Sequence, residues 1–178
     1  MEFMPAGELL GATTRVRTLT IRGAPSLPDG SYSLLDCYCT DPACDCRKTM
    51  IQVHHERRFV SMISFGWESA AYYSTWYGAP CDEQTIREMQ GPSIDISSPD
   101  RVPRQAMLAF FTSILDDDYR QHFRVQYIRF KTALQAPGSA RILNAARARI
   151  AGSSNRRRNE PCSCGSGRKF KICCGRGI

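Results

Sequence analysis

Between residues 48 and 55 apolar and polar positions alternate, with Ile51, Val53 and His55 on one side and Met50, Gln52 and His54 on the other. A period of two predicts a strand. Residues 58–65 form another β-like run, and a short turn at Glu56-Arg57 would pair the two as a hairpin. Upstream, residues 13–22 are rich in β-branched side chains and read as a strand. The segment GAPSLPDG, residues 23–30, is a loop, and residues 31–36 form a further strand that runs straight into Cys37-Tyr38-Cys39. The first ten residues carry no clear period and read as partly disordered.

From Trp67 onward the period lengthens. Ala70, Tyr73 and Trp76 recur at helical spacing, with Gly78 as a C-terminal stop, and Asp82 is placed to cap a short helix through Met89. Residues 91–100 are a loop. Met107, Phe110, Phe111, Ile114 and Leu115 then form an i, i+3, i+4, i+7, i+8 stripe. A second stripe, Tyr119, Phe123, Tyr127, Phe130 and Leu134, follows Asp116-Asp117-Asp118. Both are expected to be helices packing aromatic faces on the sheet, with no role beyond the core. Ala136-Pro137-Gly138 breaks the second helix. Residues 141–150 read as a short basic helix with Ile142, Leu143, Ala146 and Ile150 inward, and residues 152–158 have linker composition. The expected fold is therefore α+β: a small antiparallel sheet with a cysteine-rich loop, packed by three to four helices, plus a C-terminal knuckle. The expected organisation is a body over 1–138, a basic helix or linker over 139–158, and a separate tail over 159–178.

Composition narrows the class. At 178 residues, 42% hydrophobic and 23% charged, the chain resembles an ordinary soluble protein with room for one domain and an appendage. No apolar run approaches the roughly 20 residues that span a bilayer. The opening residues include Glu2 and Glu8, where a secretory signal would be basic. The expected location is cytoplasmic. The formal charge of +7 is unevenly placed: residues 1–138 hold 14 basic and 16 acidic side chains, whereas residues 139–178 hold 10 basic and one acidic. The basicity belongs to the tail.

Nine cysteines fall into two groups of four, with Cys81 left over. In a reducing compartment, clustered cysteines are metal ligands or catalytic thiols more often than disulfides. Cys162, Cys164, Cys173 and Cys174 have the spacing C-x-C-x8-C-C. Each pair can supply one edge of a tetrahedral Zn²⁺ site, and Gly165 and Gly167 let the chain double back between them. So short a segment has no core of its own, so the metal would supply its folding energy. The Arg-Asn-Glu-Pro-Cys lead-in, the Cys-Gly-Ser-Gly turn, the Arg-Lys-Phe-Lys stretch and the closing Cys-Cys-Gly closely resemble the SEC-C motif. That motif is the C-terminal zinc knuckle of the preprotein translocase ATPase SecA, and it also ends many other bacterial proteins. Cys-His commonly closes the SecA type, and Cys173-Cys174 here preserves four ligands. In SecA the knuckle contacts the chaperone SecB and is linked to ribosomes and anionic lipid. The resemblance covers about 20 residues and implies a class of behaviour only: docking on a larger protein assembly, a chaperone or a ribosome. Nucleic acid and anionic membrane surfaces are further partners that a cationic tail suits.

The other group, Cys37, Cys39, Cys44 and Cys46, has the spacing C-x-C-x4-C-x-C around an Asp41-Pro42 turn. Two C-x-C pairs could wrap a second Zn²⁺ at the sheet edge. The alternatives are a set of fewer cysteines completed by His54 or His55, or redox-active or unliganded thiols. His54 and His55 otherwise read as hairpin residues, His122 as structural or exposed, and Cys81 as half-buried without chemistry. G-x-S-x-G, H-E-x-x-H and a phosphate-cradling glycine loop are all absent from the sequence. A closed four-cysteine zinc site leaves no position for water. The expectation is a non-catalytic zinc-binding interaction module. Its rivals are an enzyme with its active site in the body and the tail as a localisation tag, and a nucleic-acid-binding protein.

Overall fold

The computed structural model describes residues 1–14, 16–99, 101–161 and 167–172, and of residues 152–158 the backbone alone. By the density of internal packing it divides into two units, Met1–Ala136 and Pro137–Ile178.

The first unit is built on an antiparallel sheet. In chain order its strands are β1 (Phe3–Pro5), β2 (Arg17–Ile21), β3 (Gly30–Cys39), β4 (Lys48–His55), β5 (Arg58–Gly66) and β6 (Ser93–Ile94). The spatial order is β1-β3-β4-β5-β6, and β2 shares the outer edge of β3 with β1. The register sets Leu34 opposite Val53, Asp36 opposite Ile51, and Ile51 opposite Ile63. One continuous face of buried side chains results. The β4–β5 turn uses Glu56 and Arg57 at φ 46° and 67°, the left-handed pair that matches strand twist in a two-residue hairpin. Neither is glycine, and Glu56 offsets that cost by tying the turn to β3. Its carboxylate accepts from Ser31 N at 2.7 Å and its amide donates to Ser31 O at 3.0 Å.

The helices of this unit are α1 (Ala6–Leu10), α2 (Ala70–Tyr77), α3 (Glu83–Gln90), α4 (Arg104–Ser113) and α5 (Asp117–Gln135). Side chains cap three of them: Asp82 accepts from Thr85 N, as the sequence suggests, and Ser69 accepts from Tyr72 N and Asp116 from Tyr119 N. Gly78 closes α2 in the left-handed conformation. Met107, Phe111 and Leu115 of the first stripe, and Tyr119 and Phe123 of the second, join Tyr32, Leu34, Ile51, Val53, Ile63 and Phe65 in one core. Tyr127, Phe130 and Leu134 continue the buried face of α5.

Four expectations need correction. The first ten residues are ordered: β1 pairs Phe3 with Cys39 and Pro5 with Cys37, and Met4 and Ala6 are buried. The strand expected over 13–22 shortens to β2, preceded by a 3₁₀ turn at Gly11–Thr13. The loop after α3 contains β6, a pairing of two residues with too short a pattern to read. The helices number six among the described residues, α1 lying in the segment that read as disordered, and α6 (Ser139–Asn159) runs unbroken through the serine- and arginine-rich stretch that read as a linker. Within α6, Leu143 and Ala146 are buried, whereas Ile142 and Ile150 are exposed.

Beyond α6 the second unit forms a short antiparallel bridge between Pro161 and Lys169. Phe170 N donates to Glu160 O at 2.8 Å, and a 3₁₀ turn covers Phe170–Ile172. Cys162, Cys164, Cys173 and Cys174 lie outside the described residues. None of the described helices is long and apolar enough to cross a membrane.

Candidate metal centre

Strand β3 ends at Cys39, and the loop that returns to β4 carries Cys44 and Cys46. The Asp-Pro step turns this loop. Asp41 Oδ1 accepts from Ala43 N at 2.9 Å, and Cys44 N donates to Asp41 O at 3.3 Å. Arg47, at φ 43°, then redirects the chain into β4. The outcome is that the Sγ atoms of Cys39, Cys44 and Cys46 lie within 4.8 Å of one another. Thiolates about 2.3 Å from a tetrahedral Zn²⁺ are about 3.8 Å apart. The three sulfurs are therefore placed so that a small inward movement would close them on one ion.

Cys37 is not brought into this group. It lies inside regular β3, paired with Pro5 on one side and Met50 on the other. Residues i and i+2 of a strand are separated by about 6.6 Å, too far for one tetrahedral edge. Its Sγ donates to Leu35 O at 3.6 Å. Burial, helped by the Asp36 charge, pushes its thiol up to about 12. His54 and His55 are also elsewhere, since six residues of strand separate Lys48 from His54, roughly 20 Å. His55 stacks on Tyr32 at 4.7 Å and its Nε2 meets Asp29 O at 3.0 Å, while His54 rests beside Phe59. Cys81 is half-buried against the small cluster of Tyr73, Ile86 and Met89.

The three converging thiols act on one another. A hydrogen bond from Cys46 lowers Cys39 to about 6, with the Asp41 backbone and the Lys131 charge assisting. The same bond and burial push Cys46 up, and burial raises Cys44. One thiolate held by a neighbouring thiol is a donor set ready to exchange protons for a soft metal ion.

Side chains that no sequence motif marked hold the loop in place. Tyr72 donates to Asp45 O and Tyr73 to Arg47 O, the latter at 2.8 Å, both from α2. From α5, Tyr127 donates to Asp45 Oδ1 at 3.2 Å and Lys131 to Asp41 O at 2.6 Å. Arg47 pairs with Asp45 at 3.0 Å and Glu68 at 3.4 Å, and lies over the Tyr72 ring. Arg47 holds the Asp45 carboxyl below the usual range. Gly66 makes the approach of Tyr73 possible, for a Cβ there would run into the Tyr73 hydroxyl and the Met89 carbonyl. The only available sequence signal was indirect: a tyrosine in a buried stripe needs a partner for its hydroxyl.

A comparison with known families matches residues 158–176 to the SEC-C motif. The chain carries that motif at its C-terminal end, and the rest of it falls in no named family. No solved structure matches the chain.

Proposed function

We propose that this protein is a zinc-binding interaction module, non-catalytic at its metal sites. Cys39, Cys44 and Cys46 hold one Zn²⁺ in the first unit, and Cys162, Cys164, Cys173 and Cys174 hold another in the SEC-C segment. The basic C-terminal part docks the chain on a larger protein assembly, a chaperone or a ribosome. The observation that carries this reading is the convergence of three cysteine sulfurs within 4.8 Å, in a loop whose backbone carbonyls are fastened by Tyr72, Tyr73 and Lys131. Soft thiolate donors suit Zn²⁺ over harder cations. Bound there, the ion would tie the end of β3 to the loop. No fourth ligand comes from the described residues, so a partner's donor would complete the coordination and close the site.

The docking half of the reading rests on the SEC-C match and on charge. With 10 basic residues against one acidic over 139–178, the C-terminal part is cationic while the rest is near neutral. Should nucleic acid be the partner, affinity will fall steeply with salt. Metal content tests the proposal. Because α6 runs to Asn159, substitution is cleaner than truncation. Elemental analysis should find two zinc equivalents in the full chain. It should find one after Cys39, Cys44 and Cys46 are changed to Ser, and one after Cys162 and Cys164 are changed. Unaltered zinc in either variant contradicts the assignment of that site.

A further inference from the structure

A cleft of about 370 Å³ opens beside β2, β3 and the first turns of α5, lined by Arg17, Asp36, Asp116, Asp118, Tyr119 and His122. None of these residues belongs to the cysteine loop. Asp36 faces α5 from β3, and its side chain is only 4% exposed. Carboxylates are costly to bury without a partner. Its partner is His122, whose Nε2 lies 2.7 Å from Asp36 Oδ2 and whose side chain is 29% exposed. The pair therefore turns its imidazole, not its carboxylate, toward solvent. The rings of Tyr119 and Phe123 flank that imidazole at 5.8 and 5.9 Å. With Asp36 ionised and the imidazole neutral, Nε2–H donates to Asp36 Oδ2 and Nδ1 keeps a lone pair. A histidine fixed this way accepts a hydrogen bond or a proton from whatever occupies the cleft.

The remaining groups define what that occupant carries. Arg17 lies over the Tyr119 ring at 4.2 Å, and no described residue takes a hydrogen bond from its guanidinium. A planar cation with unspent donors suits a carboxylate. Asp116 and Asp118 stand exposed on the opposite side of the charge balance. Asp116 spends one oxygen on capping Tyr119 N, and Asp118 lies one helical turn before His122. A simple anion would meet Asp116 and Asp118, and a simple cation would meet Arg17. A zwitterion satisfies both. The volume falls at the small end of ligand pockets.

We propose that this cleft binds a small zwitterion with an ammonium beside a carboxylate, the chemistry of an α-amino acid. Arg17 takes the carboxylate, Asp118 takes the ammonium, and His122 accepts a hydrogen bond from the ammonium. The site is independent of any metal. The test uses the full-length protein and the side-chain NMR signals of its three histidines, that of His122 being assigned by its loss in His122→Gln. The probe is an equimolar pool of the common L-amino acids, and acetate and methylammonium supply the separate halves. The pool should move the His122 signal saturably and leave His54 and His55 in place. Each half alone should act about tenfold more weakly or not at all. Arg17→Met and Asp118→Asn should each weaken the response by about tenfold or more, with unmoved His54 and His55 signals reporting an intact fold. A pool that leaves His122 unmoved overturns the proposal. So does acetate acting as strongly as the pool, which would mean an anion site, or an undiminished response in both variants.

Discussion

Among the side chains that β3 turns toward α5, Asp36 alone carries a charge, and this placement governs how stability responds to acid. Burial raises its pKa above 3.8, opposed by the hydrogen bond from His122 and by the charges of His122 and Arg17. The folded chain therefore holds a proton that the unfolded chain gives up. Its favourable contribution is fully present below 3.8 and is lost as pH rises through the folded value. Asp36→Asn keeps an acceptor for Nε2–H and has no such titration. Its urea midpoint should gain on that of the parent as pH rises above 3.8, and parallel curves would contradict the account. Tyr73 poses a different question, since its hydroxyl serves the loop and its ring serves the core. Tyr73→Phe should lower stability by about 1 kcal/mol and weaken metal binding, read by competition with a chelator. Gly66→Ala, forced against Tyr73 and Met89, should cost about 1–3 kcal/mol. Neither role was visible in sequence, because Tyr73 shares its spacing with ordinary core positions.

At the level of elements, legibility followed length and regularity. β4, with its alternation over eight residues, and the nineteen-residue α5 were plain from their periods. β1 and β6, of three and two residues, exist because β3 and β5 offer edges to pair with. Such pairings are tertiary and leave little local mark. The cysteine loop was half legible. The Asp41-Pro42 turn and its place between strands were apparent, but the matched C-x-C pairs suggested symmetry that the backbone does not have. Cys37-Tyr38-Cys39 lies in regular strand and stays extended, whereas Cys44-Asp45-Cys46 lies in loop and can bend. In sequence His122 reads only as structural or exposed, because its partner, Asp36, is 86 positions away. The β4–β5 turn makes an element-level prediction of its own. Arg57 sits at φ 67°, where glycine has no Cβ penalty. Arg57→Gly should therefore stabilise by about 1 kcal/mol, raising Tm by about 3 °C in calorimetry. An unchanged or lower Tm would show that the Arg57 side chain contributes more than the backbone costs.

Across the whole molecule, charge and thiols are distributed by unit. The first unit, Met1–Ala136, contains the sheet, the converging cysteines and the Asp36–His122 cleft, and the second carries the net positive charge and the SEC-C motif. Charge counts and cysteine spacing in the sequence separate a near-neutral body from a basic tail, because both are properties of composition. What composition does not show is which sulfurs meet. The central claim is that Cys39, Cys44 and Cys46, without Cys37, form the metal centre of the first unit. Cobalt(II) titration followed by thiolate-to-metal absorption tests it most directly, in full-length chain with Cys162, Cys164, Cys173 and Cys174 changed to Ser so that only this centre reports. In that background Cys37→Ala should keep the absorption at the same stoichiometry, and Cys46→Ala should abolish or strongly weaken it. Equal loss in both variants, or no cobalt-thiolate absorption in the parent, would contradict the account.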